Sequence, residues 1–318
     1  MLKRIPLNQL RVGMFVNDME FATQVDAAQF KPFLVSKGDD VRRLANGHVR
    51  SVVIDITKGV DVEGAPHRNA MASFEAQLLA IFSKAEITRA RQSIQEIGPH
   101  LRHMLEDGRA NGCFADEAAS SAVERIMLET LDNTGALIAV AKLKEKDETT
   151  FLHSLAVSAL MIAFGRVLGH GQEEVRVLGL GGLVHDLGKM IIPDEILSKP
   201  GKLTAEEMDL VRAHPQKGYE MVAKAGSAPH EVLDICRFHH ERYDGSGYPN
   251  RLSGRDIPYV ARVAAICDVY EALTTIRPYK PAFSQAEAIN MMMNSSGHFD
   301  QKLLSAFVSK MVISGTLH

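Results

Sequence analysis

The sequence predicts a mainly α-helical protein, in which a C-terminal helical bundle follows a small α+β module at the N-terminus. Beyond about residue 145, apolar residues recur at the spacing of amphipathic and buried helices. Two capping boxes, Thr204-x-x-Glu207 and Ser284-x-x-Glu287, mark helix starts in the same region. Strands and helices do not alternate there, so a parallel α/β sheet is not expected.

The N-terminal module occupies residues 1–65. Runs at 11–16 and 50–56 are rich in valine, isoleucine and phenylalanine and lie near glycines and polar turns, which predicts strands. The stretch 39–44 between them predicts one short helix. Residues 1–65 therefore form a small α+β unit.

Residues 66–145 form a predicted helical connector, because Phe74, Leu78, Ile81 and Phe82 recur at helical spacing. This connector packs either on its neighbours in the chain or on a second subunit; the two alternatives stay open. Residues 146–318 form the bundle. Its predicted helices cover 151–168, 173–189, 205–213, 216–225, 230–241, 258–275, 285–294 and 300–313.

Composition indicates an ordinary globular protein. The 318 residues are 46% hydrophobic and 24% charged, and the formal net charge is -3. This charge gives no reason to expect binding to DNA or other nucleic acid. Three cysteines, Cys113, Cys236 and Cys267, lie far apart and form neither a disulfide framework nor a CxxC motif. We therefore expect a reducing, cytoplasmic location.

No membrane span is expected. The N-terminal residues lack the apolar segment of a signal peptide. The most apolar stretch, 155–168, is shorter than the roughly 20 residues of a spanning helix and contains Arg166. It is predicted to be a buried helix.

Candidate metal ligands concentrate in the bundle. His239 and His240 end an amphipathic segment and run directly into a loop with two glycines and Pro249. Neutral imidazole is the commonest protein metal ligand. His185 and Asp186 lie near the end of an apolar helix, where the carboxylate can bridge two cations. Lys189 follows on the same face, where a cation suits a bound anion such as phosphate.

A lone histidine on an apolar helix is more often a hydrogen-bonded structural residue than a ligand. That interpretation weakens for a set of residues in the helical half, several of them among apolar neighbours that penalise an unpaired polar group. A set of imidazoles and carboxylates without cysteine fits iron or manganese better than structural zinc. The predicted ligands are His153, His185, Asp186, His214, His239, His240 and Asp268.

These residues, in this order, resemble the HD-superfamily metal phosphohydrolases. The segments HDLGKMIIPDEILSKPGKLT, HHERYDGSGYP and RPYK resemble the HD-GYP subgroup. The resemblance covers roughly 150–300 and implies an HD-type helical bundle. LRVGMFV and VVIDITKG, in the first 65 residues, also resemble an uncharacterised module often fused ahead of HD-GYP domains.

The resemblance implies an enzyme that hydrolyses cyclic di-GMP, a bacterial second messenger, to linear pGpG, to GMP, or to both. It implies two or three metals, usually iron or manganese. One metal binds His153, His185, Asp186 and Asp268. The other binds Asp186, His214, His239 and His240, with Asp186 bridging. Lys189, Arg277 and Lys280 contact the scissile phosphate, and Tyr248 and Pro249 belong to a lip named after the GYP motif.

Metals held in this way suit phosphodiester hydrolysis, and we hypothesise that a metal-bridging hydroxide attacks phosphorus in line while Lys189 neutralises the growing charge. Family members with three metals carry a glutamate where this chain has Thr149, with Glu148 one place off, so two metals are expected. Glu271 stands where the family commonly has aspartate, which predicts altered contacts around the ligands.

Other readings of the sequence remain open. The enzyme could act on a related substrate, such as a mixed GMP/AMP cyclic dinucleotide. The chain could also be a catalytically weak sensor or adaptor that binds a cyclic dinucleotide or a signalling partner. Expected partners are the cyclic dinucleotide, a second copy of the chain, and signalling proteins of the diguanylate-cyclase type. The N-terminal module would regulate the site or mediate pairing.

Overall fold

A computed structural model of the chain describes residues 2–21, 32–36, 40–41, 43–44, 49–55, 58–59, 78–112, 114, 116–142, 149–197, 199, 201–275 and 283–317. The chain divides into two units, Met1–Ala76 and Gln77–His318. Each unit has a hydrophobic core of its own. The predicted fold class is confirmed, since a helical unit follows a small unit built on an antiparallel sheet. The division into segments 1–65, 66–145 and 146–318 stays a prediction.

The first unit contains a four-stranded antiparallel sheet with the strand order β1-β4-β2-β3. Its strands are β1 (Leu2–Pro6), β2 (Phe15–Phe21), β3 (Phe33–Leu34) and β4 (Val49–Asp55). Val16 of β2 and Val52 and Ile54 of β4 are fully buried on one face of this sheet. Alternate side chains of a strand point to opposite faces, so one face of the sheet carries the core.

One predicted strand in this unit needs correction, and two of the observed strands, β1 and β3, were not predicted. The first predicted strand, 11–16, begins only at Phe15, because Gly13 adopts a positive φ of 94° in a turn ahead of it. Strand β1 was not predicted, because charged Arg4 and Pro6 flank its one buried residue, Ile5. The predicted short helix at 39–44 is helical at the residues described, which are 40, 41, 43 and 44.

The second unit is helical. Residues 78–81 are helical. The α-helices that follow in the described part of the chain are α1 (Lys84–Asn111), α2 (Asp116–Asp132), α3 (Thr134–Ala141), α4 (Thr149–Leu168), α5 (Gln172–Val184), α6 (Asp194–Leu197), α7 (Ala205–Arg212), α8 (His214–Ala225), α9 (His230–Phe238), α10 (Tyr259–Thr274), α11 (Gln285–Met293) and α12 (Gln301–Phe307). Short 3-10 turns cover Leu187–Ile191 and Gly254–Asp256, and a π-helical segment covers Val308–Ile313.

Helix α4 is the centre of the helical core. Leu155, Leu160 and Phe164 are fully buried along it. Its segment Thr150–Leu168 is long and apolar enough to cross a membrane, but 83% of that window is buried inside the fold. Burying each of these large side chains stabilises the fold by roughly 1.5–3 kcal/mol. As predicted, this apolar stretch is a buried core helix.

The helices between residues 84 and 141 share this core. Met104 of α1, Ile126 of α2 and Leu137 of α3 belong to the same buried cluster as α4. Helix α1 ends at Gly112, whose φ of 56° is left-handed. Within this chain, α1–α3 therefore pack on the bundle, whereas pairing with a second subunit stays a prediction.

Candidate metal centre

The predicted ligands come from five places in the helical unit. His153 lies on α4, and Asp268 lies on α10. His185 and Asp186 follow the end of α5, and His239 and His240 follow the end of α9. His214 opens α8 directly after α7. Three of these five places are helix ends. The predicted helices 173–189 and 230–241 included both doublets. In the structure these helices end before the doublets, at Val184 and Phe238.

Asp186 lies at the centre of the cluster, and its two carboxylate oxygens face different sets of imidazole nitrogens. Oδ2 lies 3.4 Å from Nε2 of His153 and 3.5 Å from Nε2 of His185. Oδ1 lies 3.2 Å from Nε2 of His214 and 3.8 Å from Nε2 of His239. One carboxylate is therefore shared between two groups of potential ligands.

Asp268 and His240 complete the two groups. Oδ1 of Asp268 lies 3.2 Å from Nε2 of His153 and 3.9 Å from Nε2 of His185. The ring of His240 has its centroid 4.2 Å from that of His239. Potential ligand atoms lie within 4.8 Å of one another in each of two sets, which are His153, His185 and Asp186, and Asp186, His214, His239 and His240.

Backbone carbonyls at helix ends orient three of the imidazoles. Nδ1 of His185 lies 2.7 Å from the Gly182 carbonyl, and Nδ1 of His214 lies 2.7 Å from that of Val211. Nδ1 of His239 lies 3.1 Å from the Cys236 carbonyl. The last carbonyls of a helix lack partners within the helix. They accept from Nδ1–H here, which leaves each Nε2 as a lone-pair donor aimed into the cluster.

The fourth oriented imidazole, His153, uses a side chain instead. Its Nδ1 lies 2.6 Å from Oε2 of Glu271, a fully buried carboxylate on α10. Oε1 of the same carboxylate accepts a hydrogen bond of 2.7 Å from Thr275. The glutamate therefore lies behind His153 and directs Nε2 of that ring toward Asp186 and Asp268.

The donor set fits bound cations. Nε2 of His214 and Nε2 of His239 lie 3.3 Å apart, although both rings donate from Nδ1, so two lone pairs face each other. Among the described residues, the buried atoms Nε2 of His185 and Oδ1 of Asp186 have no hydrogen-bond partner. Oδ1 of Asp186 lies 3.2 Å from Nε2 of His214, but both atoms are acceptors, so they do not form a hydrogen bond with each other. Unpaired buried acceptors are costly, and cations placed between them would satisfy them.

The electrostatics favour neutral imidazoles and ionised carboxylates. Burial lowers the pKa of His185 and of His239, and it lowers that of His240 to about 3. Burial acts to raise the pKa of Asp186, but Lys189 and the neighbouring imidazoles hold it well below its ordinary value. These are the protonation states that metal ligands need.

His153 differs from His185, His239 and His240 in the direction of its pKa shift. Burial acts to lower its pKa, but the charge of Glu271 and hydrogen bonds with Asp186 and Asp268 raise it well above the ordinary value. The reciprocal effect holds the pKa of Asp268 down against its burial. His153 is therefore the imidazole that lies closest to three carboxylates, those of Asp186, Asp268 and Glu271.

Of the residues predicted to contact substrate, Lys189 lies at the cluster. Its Nζ is 2.6 Å from Oδ2 of Asp186, and its side chain is 28% exposed. Tyr248 lies against the second ligand group, since its ring stacks on His240 with a centroid distance of 4.8 Å. Pro249 follows it through a cis peptide bond. Arg277 and Lys280 lie outside the described residues, so their roles stay predictions.

The loop that carries Tyr248 is held by the residue next to the ligands. Glu241 is buried, and its carboxylate accepts hydrogen bonds of 2.6 Å from the Asn250 amide and 3.1 Å from the Leu252 amide. A Cβ on Gly247 would lie 2.3 Å from the Arg242 amide nitrogen, so only glycine permits this approach. Sequence reasoning missed Glu241, although a carboxylate directly after two ligand histidines was a usable signal.

Replacing Glu271 by alanine is expected to lower the affinity for one of two metals by roughly 10–100-fold, because His153 loses the partner that orients it. Glu271→Gln is expected to retain part of that affinity, since an amide oxygen still accepts from Nδ1–H. A two-step Mn²⁺ titration checks this. Glu220→Ala, which removes a surface carboxylate 3.0 Å from Lys217, is the control. Equal affinities in wild type and Glu271→Ala would contradict the positioning role.

Comparison with known proteins identifies the architecture. The family described as HD domain matches residues 135–303, which include every predicted ligand. The chain belongs to the HD domain family. A second family, described as a domain of unknown function (DUF3391), matches residues 2–119 ahead of it. The resemblance to HD-superfamily phosphohydrolases of the HD-GYP subgroup is confirmed, as is the presence of a separate N-terminal module.

Relatives of this HD domain protein include a Pseudomonas aeruginosa protein named cyclic di-GMP phosphodiesterase PA4108, 41% identical over 97% of this chain and 76% of its own length. A Xanthomonas campestris protein named cyclic di-GMP phosphodiesterase response regulator RpfG is 37% identical over 60% of this chain and 50% of its own. The solved structure of Bd1817, an HDG"Y"P protein from Bdellovibrio bacteriovorus, has a TM-score of 0.58 at 20% identity, covering 99% of this chain and 100% of that one. This last likeness concerns the fold.

Proposed function

We propose that this HD domain protein is a metal-dependent phosphodiesterase that hydrolyses cyclic di-GMP to linear pGpG, to GMP, or to both. The observation that carries the proposal is the position of Asp186, whose two oxygens face two separate sets of imidazole nitrogens. The names of the Pseudomonas and Xanthomonas relatives support this choice of substrate.

Each residue of the centre has a proposed task. His153, His185 and Asp268 hold one divalent metal, and His214, His239 and His240 hold the other, with Asp186 common to both. When bound, a metal pair supplies Lewis acidity toward the phosphoryl oxygens and lowers the pKa of water. Iron or manganese is the proposed identity, because the ligand set combines imidazole and carboxylate and contains no thiolate.

The remaining residues act on the substrate. Lys189 stands beside the shared carboxylate, where its ammonium group would hold a phosphoryl oxygen and offset negative charge as the bond to the leaving oxygen breaks. The ring of Tyr248 covers His240 and limits the access of water to that side of the centre. Arg277 and Lys280 are proposed to bind the same phosphate.

A second candidate substrate is a mixed GMP/AMP cyclic dinucleotide. A Vibrio cholerae relative named 3'3'-cGAMP-specific phosphodiesterase 1 is 39% identical over 51% of this chain and 38% of its own length. This match covers 51% of the chain, whereas the Pseudomonas relative matches 97% of it, so cyclic di-GMP remains the first choice. A catalytically weak sensor or adaptor is disfavoured, because binding alone does not need so complete a ligand set.

Turnover of cyclic di-GMP by the purified full chain tests the proposal. We expect hydrolysis with added Mn²⁺ or Fe²⁺, loss of hydrolysis after chelation, and recovery when the metal is returned. Chromatography of the products separates pGpG from GMP, and parallel reactions with the mixed GMP/AMP dinucleotide compare substrates. Binding of cyclic di-GMP without any hydrolysis under either metal would favour the sensor instead.

Chelation is also expected to lower the unfolding temperature of the chain, since a metal that binds only the folded state stabilises it by mass action. A calorimetric scan before and after dialysis against a chelator measures this shift. The Glu220→Ala variant should show the same shift as wild type. An unchanged unfolding temperature together with unchanged activity would contradict a metal centre.

We further propose a cytoplasmic location, pairing of two copies, and contact with signalling proteins of the diguanylate-cyclase type. Gel filtration with light scattering measures pairing, and a copurification with a purified diguanylate cyclase measures contact. The N-terminal unit is proposed to regulate the centre or to mediate pairing. Deleting it would separate these roles, because only the loss of a pairing role changes the number of copies in the particle.

A further inference from the structure

An arginine lies over the tyrosine ring that stacks on one of the proposed metal ligands. The Tyr248 ring stacks on His240 with a centroid separation of 4.8 Å and an angle of 29°. Cζ of Arg212 lies 5.8 Å from the centroid of the same Tyr248 ring. Arg212 is the last residue of α7 and is exposed. A guanidinium and the proposed ligand His240 thus contact the same tyrosine ring.

Two other cations near this lip, Lys189 and Arg242, already have anionic or hydroxyl partners. Lys189 lies 2.6 Å from Asp186. Arg242 donates to Ser246 at 2.8 Å and lies 3.6 Å from Asp244. For Arg212, the described residues provide the tyrosine ring and no carboxylate within ion-pair distance. A guanidinium placed over a ring uses its face there, so its N–H edge stays available to a ligand.

The substrate of the proposed function carries two phosphodiesters on opposite sides of one macrocycle. Only the one being hydrolysed can lie at the metal centre beside Lys189. The other must lie away from that centre, and its charge needs a cation. Arginine suits this task, because its planar fork binds two phosphate oxygens at once. Its contact with Tyr248 restrains the side chain before the ligand arrives, which reduces the entropy lost on binding.

We propose that Arg212 binds the second, non-scissile phosphodiester of the cyclic dinucleotide and so selects substrates that carry two phosphates. This inference rests on the proposed function and deepens it. It makes Arg212 a specificity-determining residue, distinct from the groups that hold the metals and the scissile phosphate.

The test compares two substrates and two kinds of variant. Arg212→Gln, Arg212→Lys and wild type, all loaded with Mn²⁺, are assayed on cyclic di-GMP and on bis(p-nitrophenyl) phosphate, a phosphodiester with no second phosphate. Arg89→Gln is the matched control, since Arg89 is an exposed arginine on α1 that lies 3.6 Å from Asp132. Calorimetric titration with cyclic di-GMP measures affinity independently of turnover.

For Arg212→Gln we expect KM for cyclic di-GMP to rise about 10-fold or more, and kcat/KM to fall far more for this substrate than for bis(p-nitrophenyl) phosphate. Arg212→Lys should recover part of the loss, because it restores charge but not the fork. An equal fall with both substrates, or no change in KM or affinity, would overturn the inference. If wild type binds but does not hydrolyse cyclic di-GMP, the proposed function fails, and the titrations alone still decide the role of Arg212.

Discussion

Replacing His185 and Asp186 together by alanine is expected to abolish both metal content and hydrolysis of cyclic di-GMP. Asp186 faces the imidazoles of both sets, so its loss would remove one proposed ligand from each proposed metal at once. His185 contributes a further nitrogen that, among the described residues, lacks any other partner. Metal analysis of the purified variant and chromatography of its reaction products measure the two losses.

A matched control is available in the same unit. His230 and Asp234 also form a histidine–aspartate pair, with Nδ1 and Oδ2 3.2 Å apart, but the His230 side chain is 82% exposed. His230→Ala with Asp234→Ala should therefore keep both metals and the activity of wild type. Retention of full metal content and full turnover by the His185 and Asp186 double variant would show that the centre lies elsewhere.

Replacing Gly188 by alanine is expected to destabilise the helical unit by about 3 kcal/mol and to disturb the metal centre. A Cβ on Gly188 would lie 2.0 Å from the carbonyl oxygen of His214 and 2.5 Å from the amide nitrogen of Gly218. Both are backbone atoms, so no side chain can rotate away from the clash. The start of α8 would have to move, and the ligand His214 would move with it.

Urea unfolding followed by helical circular dichroism measures this loss, and metal analysis of the folded variant measures the disturbance. Gly171→Ala is the control, because the nearest atom to its Cβ would be a glutamate oxygen at 3.6 Å, an ordinary contact. A Gly188→Ala protein with the stability and metal content of wild type would contradict the close packing at this turn.

The cluster itself was predictable, because its ligands occur as two doublets and three single residues among apolar neighbours. The orientation of its rings was not. The sequence predicted helices continuing through His185 and His239, and inside a helix the carbonyls behind these rings would bond to main-chain amides. The helices end instead at Val184 and Phe238. Apolar periodicity does not locate helix ends, so the carbonyls left over for the imidazoles could not be foreseen.

The neighbourhood of His153 was partly predictable. Glu271 departs from the family pattern, which predicts an altered contact near the ligands. Its distance of 2.6 Å from Nδ1 of His153 depends on how α4 and α10 pack, which only coordinates give. Arg212 had no signal in the sequence, because nothing places the end of α7 beside the ring of Tyr248 before the chain is folded.

The contrast between these two ways of orienting a ring has a consequence for mutational tolerance. Main-chain oxygens are present whatever residue carries them. His185, His214 and His239 therefore keep their tautomers when the residues that supply these carbonyls are substituted, provided the helix ends stay in place. His153 depends on a replaceable carboxylate instead. Random substitution would therefore degrade the His153 side of the pair first and leave a protein that still captures a single ion.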